Sequence, residues 1–284
     1  MPITHERLVT DFSSLGIGEG DLVAMHSSLK SIGQVEGGAD TVIDSLLACV
    51  GSDGTLMTPT FTNCFEGSKN TDVFERESTP SLTGLITEML RKRPEAFRSL
   101  HPTHSAAAIG RLAEEITRDH LRATPLGAGS PFHRLCENDG WILLVGVGQD
   151  TNSFVHVAEV MAGVSYVNVF CWLHLDWRPN ARFIDEGGQE RTLDIYECPG
   201  DSRAFHKINP LLIERGCLRE GLIGHAPSQL MKASHIYEVV RDAVEEDPAF
   251  VLCEEGTCRA CDVRRASIGM PARNIIPPSE EWVR

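Results

Sequence analysis

The run WILLVGVG (141–148) holds no charged side chain and ends in glycine, which reads as a buried strand. Such a strand needs cover on both faces, and the rest of the first half supplies it. DLVAMHSSL (21–29), GTLMTPTF (54–61) and SAAAIG (105–110) read as further strands. Between them lie amphipathic helices. THERLVTDFSSLGI opens with Thr4 as N-cap and stops at Gly16. GADTVIDSLLACVG places Val42, Leu46, Leu47 and Val50 on one stripe, and SLTGLITEMLRKRPEAF is helical until Pro94 ends it. Strand alternating with helix predicts an α/β fold, a mainly parallel central sheet covered by helices.

After about residue 165 the pattern changes. NVFCWLHLDW (168–177) and ARFIDEGGQERTLDIYE (181–197) read as antiparallel strands turning at Gly187-Gly188. SHIYEVVRDAVEED (234–247) is a late helix and PAFVLCEEG (248–256) a final strand. The expected organisation is one domain over 1–284. Residues 1–165 form its α/β core, and 166–284 a smaller, more antiparallel subdomain.

In open α/β sheets ligands collect at the carboxyl ends of parallel strands. HSSLKSIGQVEGGADT (26–41) follows one such strand and offers serines, Lys30 and glycines before a helix, a setting that suits phosphate. It is neither a P-loop nor a dinucleotide fingerprint, and loop geometry alone also explains its glycines. RSLHPTHSAAAIG (98–110) holds His101 before a proline and then small residues. TPLGAGSPFHRL (124–135) has Gly127 and Gly129 ahead of Ser130-Pro131, an N-cap and first helical residue.

TNSFVHVAEV (151–160) follows the WILLVGVG strand and puts His156 and Glu159 three apart on a helix. A carboxylate accepting from one imidazole nitrogen fixes the tautomer and raises the basicity of the other, which makes a general base. Two solvated residues in a first helical turn are the alternative that spacing leaves open.

The 284 residues carry a formal net charge of −14, which disfavours nucleic acid and suits a cationic small molecule. No apolar run reaches the ~20 residues of a membrane span, and the N-terminus lacks an apolar signal core. Nine cysteines then read as reduced thiols of a cytoplasmic protein. Three of them, Cys253, Cys258 and Cys261, have the C-x4-C-x2-C spacing of part of a structural zinc site, with Cys198, His206 or Cys217 as candidate fourth ligand. Free thiols in a turn are the competing reading.

Six stretches in order carry a resemblance: HSSLKSIG…EGGADTVIDSLL, GTLMTPTF, TPSLTG, RSLHPTHSAAAIG, PLGAGSPFHRL and LLVGVGQDTNSFVHVAE. Together, from about residue 5 to about 267, the chain resembles the aminoglycoside 3-N-acetyltransferases, the antibiotic acetyltransferases outside the GNAT fold. The resemblance implies acetyl-CoA as donor and an amine of a polycationic aminoglycoside as acceptor. It implies His156 and Glu159 as the catalytic pair. It implies CoA contacts at His26, Ser27, Ser28, Leu29, Lys30, Ser31 and Gly33, and at Gly127, Gly129 and Ser130, with Ser105 a further candidate. The oxyanion that develops on the thioester needs donors, and backbone N–H groups in 27–33 or the Ser105 hydroxyl are the candidates. An acidic cleft wall is expected for the ammonium groups, and acceptor choice is expected in 63–78 and 165–235. A monomer or homodimer is expected. A metabolic amine as acceptor, a CoA-binding protein without catalysis, and a cysteine-centred redox or metal module are the alternatives.

Overall fold

A computed structural model describes residues 2–69 and 72–270. In chain order its strands are Leu22–Ser27 (β1), Thr55–Pro59 (β2), Phe97–Arg98 (β3), Ala106–Gly110 (β4), Trp141–Val145 (β5), Asn180–Ile184 (β6), Glu190–Asp194 (β7), Arg219–Ile223 (β8) and Ala226–Lys232 (β9). The α-helices are His5–Leu15 (α1), Leu29–Ile32 (α2), Ala39–Val50 (α3), Leu85–Arg91 (α4), Ala113–Thr117 (α5), Pro131–Glu137 (α6), Phe154–Met161 (α7), Ile208–Glu214 (α8), Ala233–Glu246 (α9) and Arg259–Arg265 (α10).

Seven strands form one sheet in the order β3-β4-β2-β1-β5-β9-β8. Its centre is parallel, β1 pairing with β2 on one side and β5 on the other. The flanks are antiparallel: β4 returns beside β2, and β9 beside β5. Successive side chains of a strand point to opposite faces, and the core divides accordingly. Leu22, Ala24, Ile142 and Leu144 pack with α6, α7 and α9 on one face. Val23, Met25, Leu143 and Val145 pack with α1 and α3 on the other. The expected helix signals act locally. Thr4 Oγ1 accepts from Arg7 N, and Gly16 takes the left-handed φ of 108° that closes α1.

The second half contains two kinds of antiparallel structure. β6 and β7 form the expected hairpin around residues 185–189, over a small aromatic core with Phe65, Phe74 and Phe183. β8 and β9 instead rejoin the main sheet, and α9 packs on α7. Two expected strands do not form. Residues 168–177 are loop and a 3₁₀ turn at Leu173–Leu175. PAFVLCEEG is a series of turns: Lys207 Nζ donates to the carbonyls of Phe250 (3.1 Å) and Leu252 (2.8 Å), filling the role of a neighbouring strand.

Candidate functional site

The parallel strands β2, β1 and β5 end on one edge, and a cavity of about 430 Å³ opens there. Its lining includes His26 and Ser27 from the end of β1, Pro59 from β2, and Val147 just past β5. The residues entering α7 reach it too, as do Leu126, His104 and the segment from Pro199 to Ser202. This is where the topology expects a ligand.

His156 lines the cavity and Glu159 lies behind it, 1% exposed. One helical turn brings His156 Nδ1 to 2.6 Å from Glu159 Oε2. A carboxylate here can only accept, so Nδ1 carries the proton and Nε2 is the basic nitrogen. The ring is held edge-on against Phe205, with centroids 4.7 Å apart.

Burial by itself would raise the Glu159 pKa. The His156 hydrogen bond and the charges of His156 and Arg264 outweigh it and hold the carboxyl below its ordinary value. Arg264 comes from α10, with Nη1 3.5 Å from Glu159 Oε1. Its Nη2 donates to the Cys198 carbonyl, and its guanidinium lies 5.3 Å from the Tyr166 ring. It fits only because residue 200 is glycine: a Cβ there would sit 2.6 Å from Arg264 Cζ. Nothing in the sequence links Arg264 to a pair 105 positions earlier.

The expected CoA residues fall on two segments flanking the cavity. His26 and Ser27 line it. Ser28 caps α2, its Oγ accepting from Ser31 N at 3.3 Å, and Ser31 Oγ reaches Gly146 O at 3.1 Å. Leu29 is half-buried, Lys30 is exposed, and Gly33 ends this turn with φ 108°. In the other segment Leu126 lines the cavity, while Gly127 is buried beside it. Gly129 has φ 83°, and Ser130 caps α6 by accepting from His133 N. Glu197 Oε2 accepts from Leu126 N at 3.0 Å and anchors this segment. Burial pushes the Glu197 carboxyl up to about 7.

Ser105 stands apart. It is fully buried, donates to Thr60 O (2.8 Å) and accepts from Arg98 Nε (3.1 Å), so its hydroxyl is committed to the wall and does not line the cavity.

The expected acidic wall is an aromatic one. Phe61, Phe65, Trp172 and Trp177 line the cavity, and Asp150 is the one carboxylate among the described lining residues. Trp177 stacks on Phe65 at 5.5 Å and 18°, with Trp172 6.0 Å away. The segments 63–78 and 165–235 do reach the site, through Asn63, Phe65, both tryptophans and 199–202; residues 70 and 71 lie outside the described residues.

The Sγ atoms of Cys253, Cys258 and Cys261 lie within 4.8 Å of one another. Tetrahedral zinc thiolates with bonds of ~2.3 Å would need S···S separations of about 3.8 Å, so the donors fit zinc with a small contraction. None of the expected fourth ligands joins them among the described residues. Cys198 is tied to Cys171, exposed His206 bonds the Arg203 carbonyl, and Cys217 is beside Arg215 O. Asp201 is the neighbour instead, its Oδ1 3.6 Å from Cys253 Sγ.

Comparison with known proteins agrees with this architecture. The family described as aminoglycoside 3-N-acetyltransferase matches residues 24–245. Aminoglycoside N(3)-acetyltransferase III of Serratia marcescens is 33% identical over 252 residues, 82% of this chain and 94% of that protein. Among solved structures, a histidine-to-alanine mutant of aminoglycoside acetyltransferase AAC(3)-IVa in complex with a gentamicin superposes with TM-score 0.83 at 29% identity, covering 94% of this chain and 98% of that one. AAC-IIIb in binary complex with CoASH gives TM-score 0.75 at 27% identity, with 86% and 96% covered. With matches this long in sequence and in structure, the chain belongs to the aminoglycoside 3-N-acetyltransferase family.

Proposed function

We propose that the protein transfers the acetyl group of acetyl-CoA to the 3-amino group of an aminoglycoside, with His156 as general base and Glu159 as its orienting partner. The observation that carries this reading is the buried 2.6 Å His156–Glu159 contact facing the cavity at the strand ends. The acceptor amine arrives as an ammonium ion and cannot attack until it loses a proton. His156 Nε2 removes it, directly or through one water, and Glu159 stabilises the imidazolium that results. The nitrogen then adds to the thioester carbonyl and loses its second surplus proton, the C–S bond breaks, and CoA leaves as its thiol. Of the two protons shed by the amine, one returns through His156 to the sulfur and the other is released to solvent.

Acetyl-CoA would enter along the two expected segments, His26–Gly33 and Gly127–Ser130, with exposed Lys30 available to its phosphates. The related AAC-IIIb has been solved with CoASH, which supports this donor. For the acceptor, aromatic faces hold the apolar faces of sugar rings and attract ammonium groups, while Asp150 offers an ion pair. A single carboxylate among the described lining residues makes shape and stacking the larger part of recognition. We place this chemistry in the cytoplasm, in keeping with nine free cysteines and with described helices too short or too polar to cross a membrane. Zinc held by Cys253, Cys258 and Cys261 would be structural, tying α10 to the 198–203 segment.

The test is thiol release from acetyl-CoA with kanamycin-, gentamicin- and apramycin-class acceptors, followed by mass spectrometry of the products. One added acetyl group on the 3-amino nitrogen is expected. Release with some other amine and none of these would overturn the acceptor and keep the reaction class.

A further inference from the structure

We infer that His104 is a further catalytic residue, a neutral imidazole that donates a hydrogen bond from Nε2 to the thioester oxygen as negative charge develops there. The inference rests on the acetyl-transfer reading above. It answers a need that reading leaves open, since attack on the thioester carbonyl makes an oxyanion, the Ser105 hydroxyl is committed elsewhere, and of the 27–33 backbone donors Ser28, Ser31 and Ile32 already bond to carbonyls.

Three observations converge on His104. It lines the same cavity as His156, within electrostatic reach of it, and packs against the Phe61 ring at 4.7 Å. Its tautomer is set by a chain of hydrogen bonds. His101 Nδ1 lies 3.3 Å from Thr103 N and 3.1 Å from His104 N, two donors, so it is an acceptor already doubly served. The Thr103 hydroxyl is 3.3 Å from that nitrogen but 2.8 Å from His104 Nδ1. The shorter bond and the crowded alternative direct the Thr103 proton to His104 Nδ1. An imidazole that accepts at Nδ1 bears its proton at Nε2.

The third observation is that His104 stays neutral. Burial pushes its pKa down to about 3, and the neighbouring histidines push it the same way. A neutral donor polarises a carbonyl without competing with His156 for the acceptor's proton. In the addition step the C–N bond forms and the carbonyl π pair moves to oxygen, where the His104 N–H receives it as a hydrogen bond. On collapse that pair reforms C=O and the sulfur leaves with its electrons. His104 keeps its proton throughout.

The test uses the full chain with acetyl-CoA and the best acceptor found for the wild type. His104→Leu is expected to lower kcat by ~10²–10³-fold, the usual cost of one oxyanion donor, with KM for acetyl-CoA within a few-fold. His104→Gln, which retains an N–H donor, is expected to recover at least tenfold of that loss. Thermal melting checks that both variants fold, and their kcat/KM profiles should keep the ascending limb that belongs to His156. Nitrogen-15 chemical shifts of the wild type should place the His104 proton on Nε2, and Thr103→Val should disturb that assignment. A kcat within about threefold of wild type in folded His104→Leu, or a proton on Nδ1, overturns the inference and leaves the acetyl-transfer reading standing. An ascending limb lost in the His104 variants would make His104 the base and overturn it equally. A wild type that releases no thiol with any amine overturns both.

Discussion

Replacing Arg264 by methionine separates the electrostatics of the site from its packing. The methionine keeps much of the apolar stem and removes the guanidinium, which is 2% exposed and 3.5 Å from a carboxylate that is itself 1% exposed. Removing one member of a buried ion pair costs about 3–5 kcal/mol, because the other charge stays buried without its partner. The lost bond to the Cys198 carbonyl adds ~1 kcal/mol. Arg264→Met should therefore lower the free energy of unfolding by about 4–6 kcal/mol. Glu159→Gln alone strands the arginine and should cost a similar amount. The double variant buries no charge, so its loss should fall short of the sum of the two singles by roughly 2–3 kcal/mol. Urea unfolding of the four proteins measures this directly. Arg264 also helps hold the Glu159 carboxyl below its ordinary pKa. Without it that lowering weakens and the Glu159 pKa should rise, with the His156 hydrogen bond still opposing burial. Additive single effects, or an Arg264→Met loss under about 1 kcal/mol, would refute the picture of a coupled buried triad.

Two further outcomes follow from buried groups elsewhere. The Glu197 carboxyl, raised to about 7 in the folded protein, binds its proton more tightly there than in the unfolded chain. Its contribution to stability is full below pH ~4.5 and is lost as pH rises through about 7. Glu197→Gln, which keeps an acceptor for Leu126 N, should flatten that decline and stabilise the protein by about 3 kcal/mol at pH 8, as read by melting across a pH series. If zinc sits among Cys253, Cys258 and Cys261, elemental analysis should find one ion per chain. A strong chelator or Cys258→Ser should then lower Tm while turnover at low temperature persists; freshly purified protein without metal would end that idea.

What the sequence makes legible is local. The WILLVGVG strand, the caps Thr4 and Ser130, and the i, i+3 contact of His156 with Glu159 depend on neighbours a few residues away, and each forms as its local signals require. β8 and β9 escape notice because β8 is an exposed edge strand and β9 contains a proline, so neither shows a plain alternation. PAFVLCEEG has the composition of a strand but no partner strand to pair with, and Lys207 takes its carbonyls. An acidic wall does not follow from net charge, which says how many carboxylates there are and not where the chain folds them. Arg264, His104 and the tryptophans join the site only through tertiary packing between segments far apart in sequence, so no spacing rule marks them.

The central claim is tested most directly by steady-state kinetics of His156→Ala beside Glu159→Gln and the double variant. A general base contributes ~10²–10⁴-fold, so His156→Ala should lose kcat by that factor while acetyl-CoA still binds. Glu159→Gln should lose a large share of it, and the double variant should be little worse than His156→Ala, since the two act as one unit. The ascending limb of the kcat/KM profile should vanish with the histidine. A folded His156→Ala enzyme within a few-fold of wild type, with that limb intact, would contradict the account.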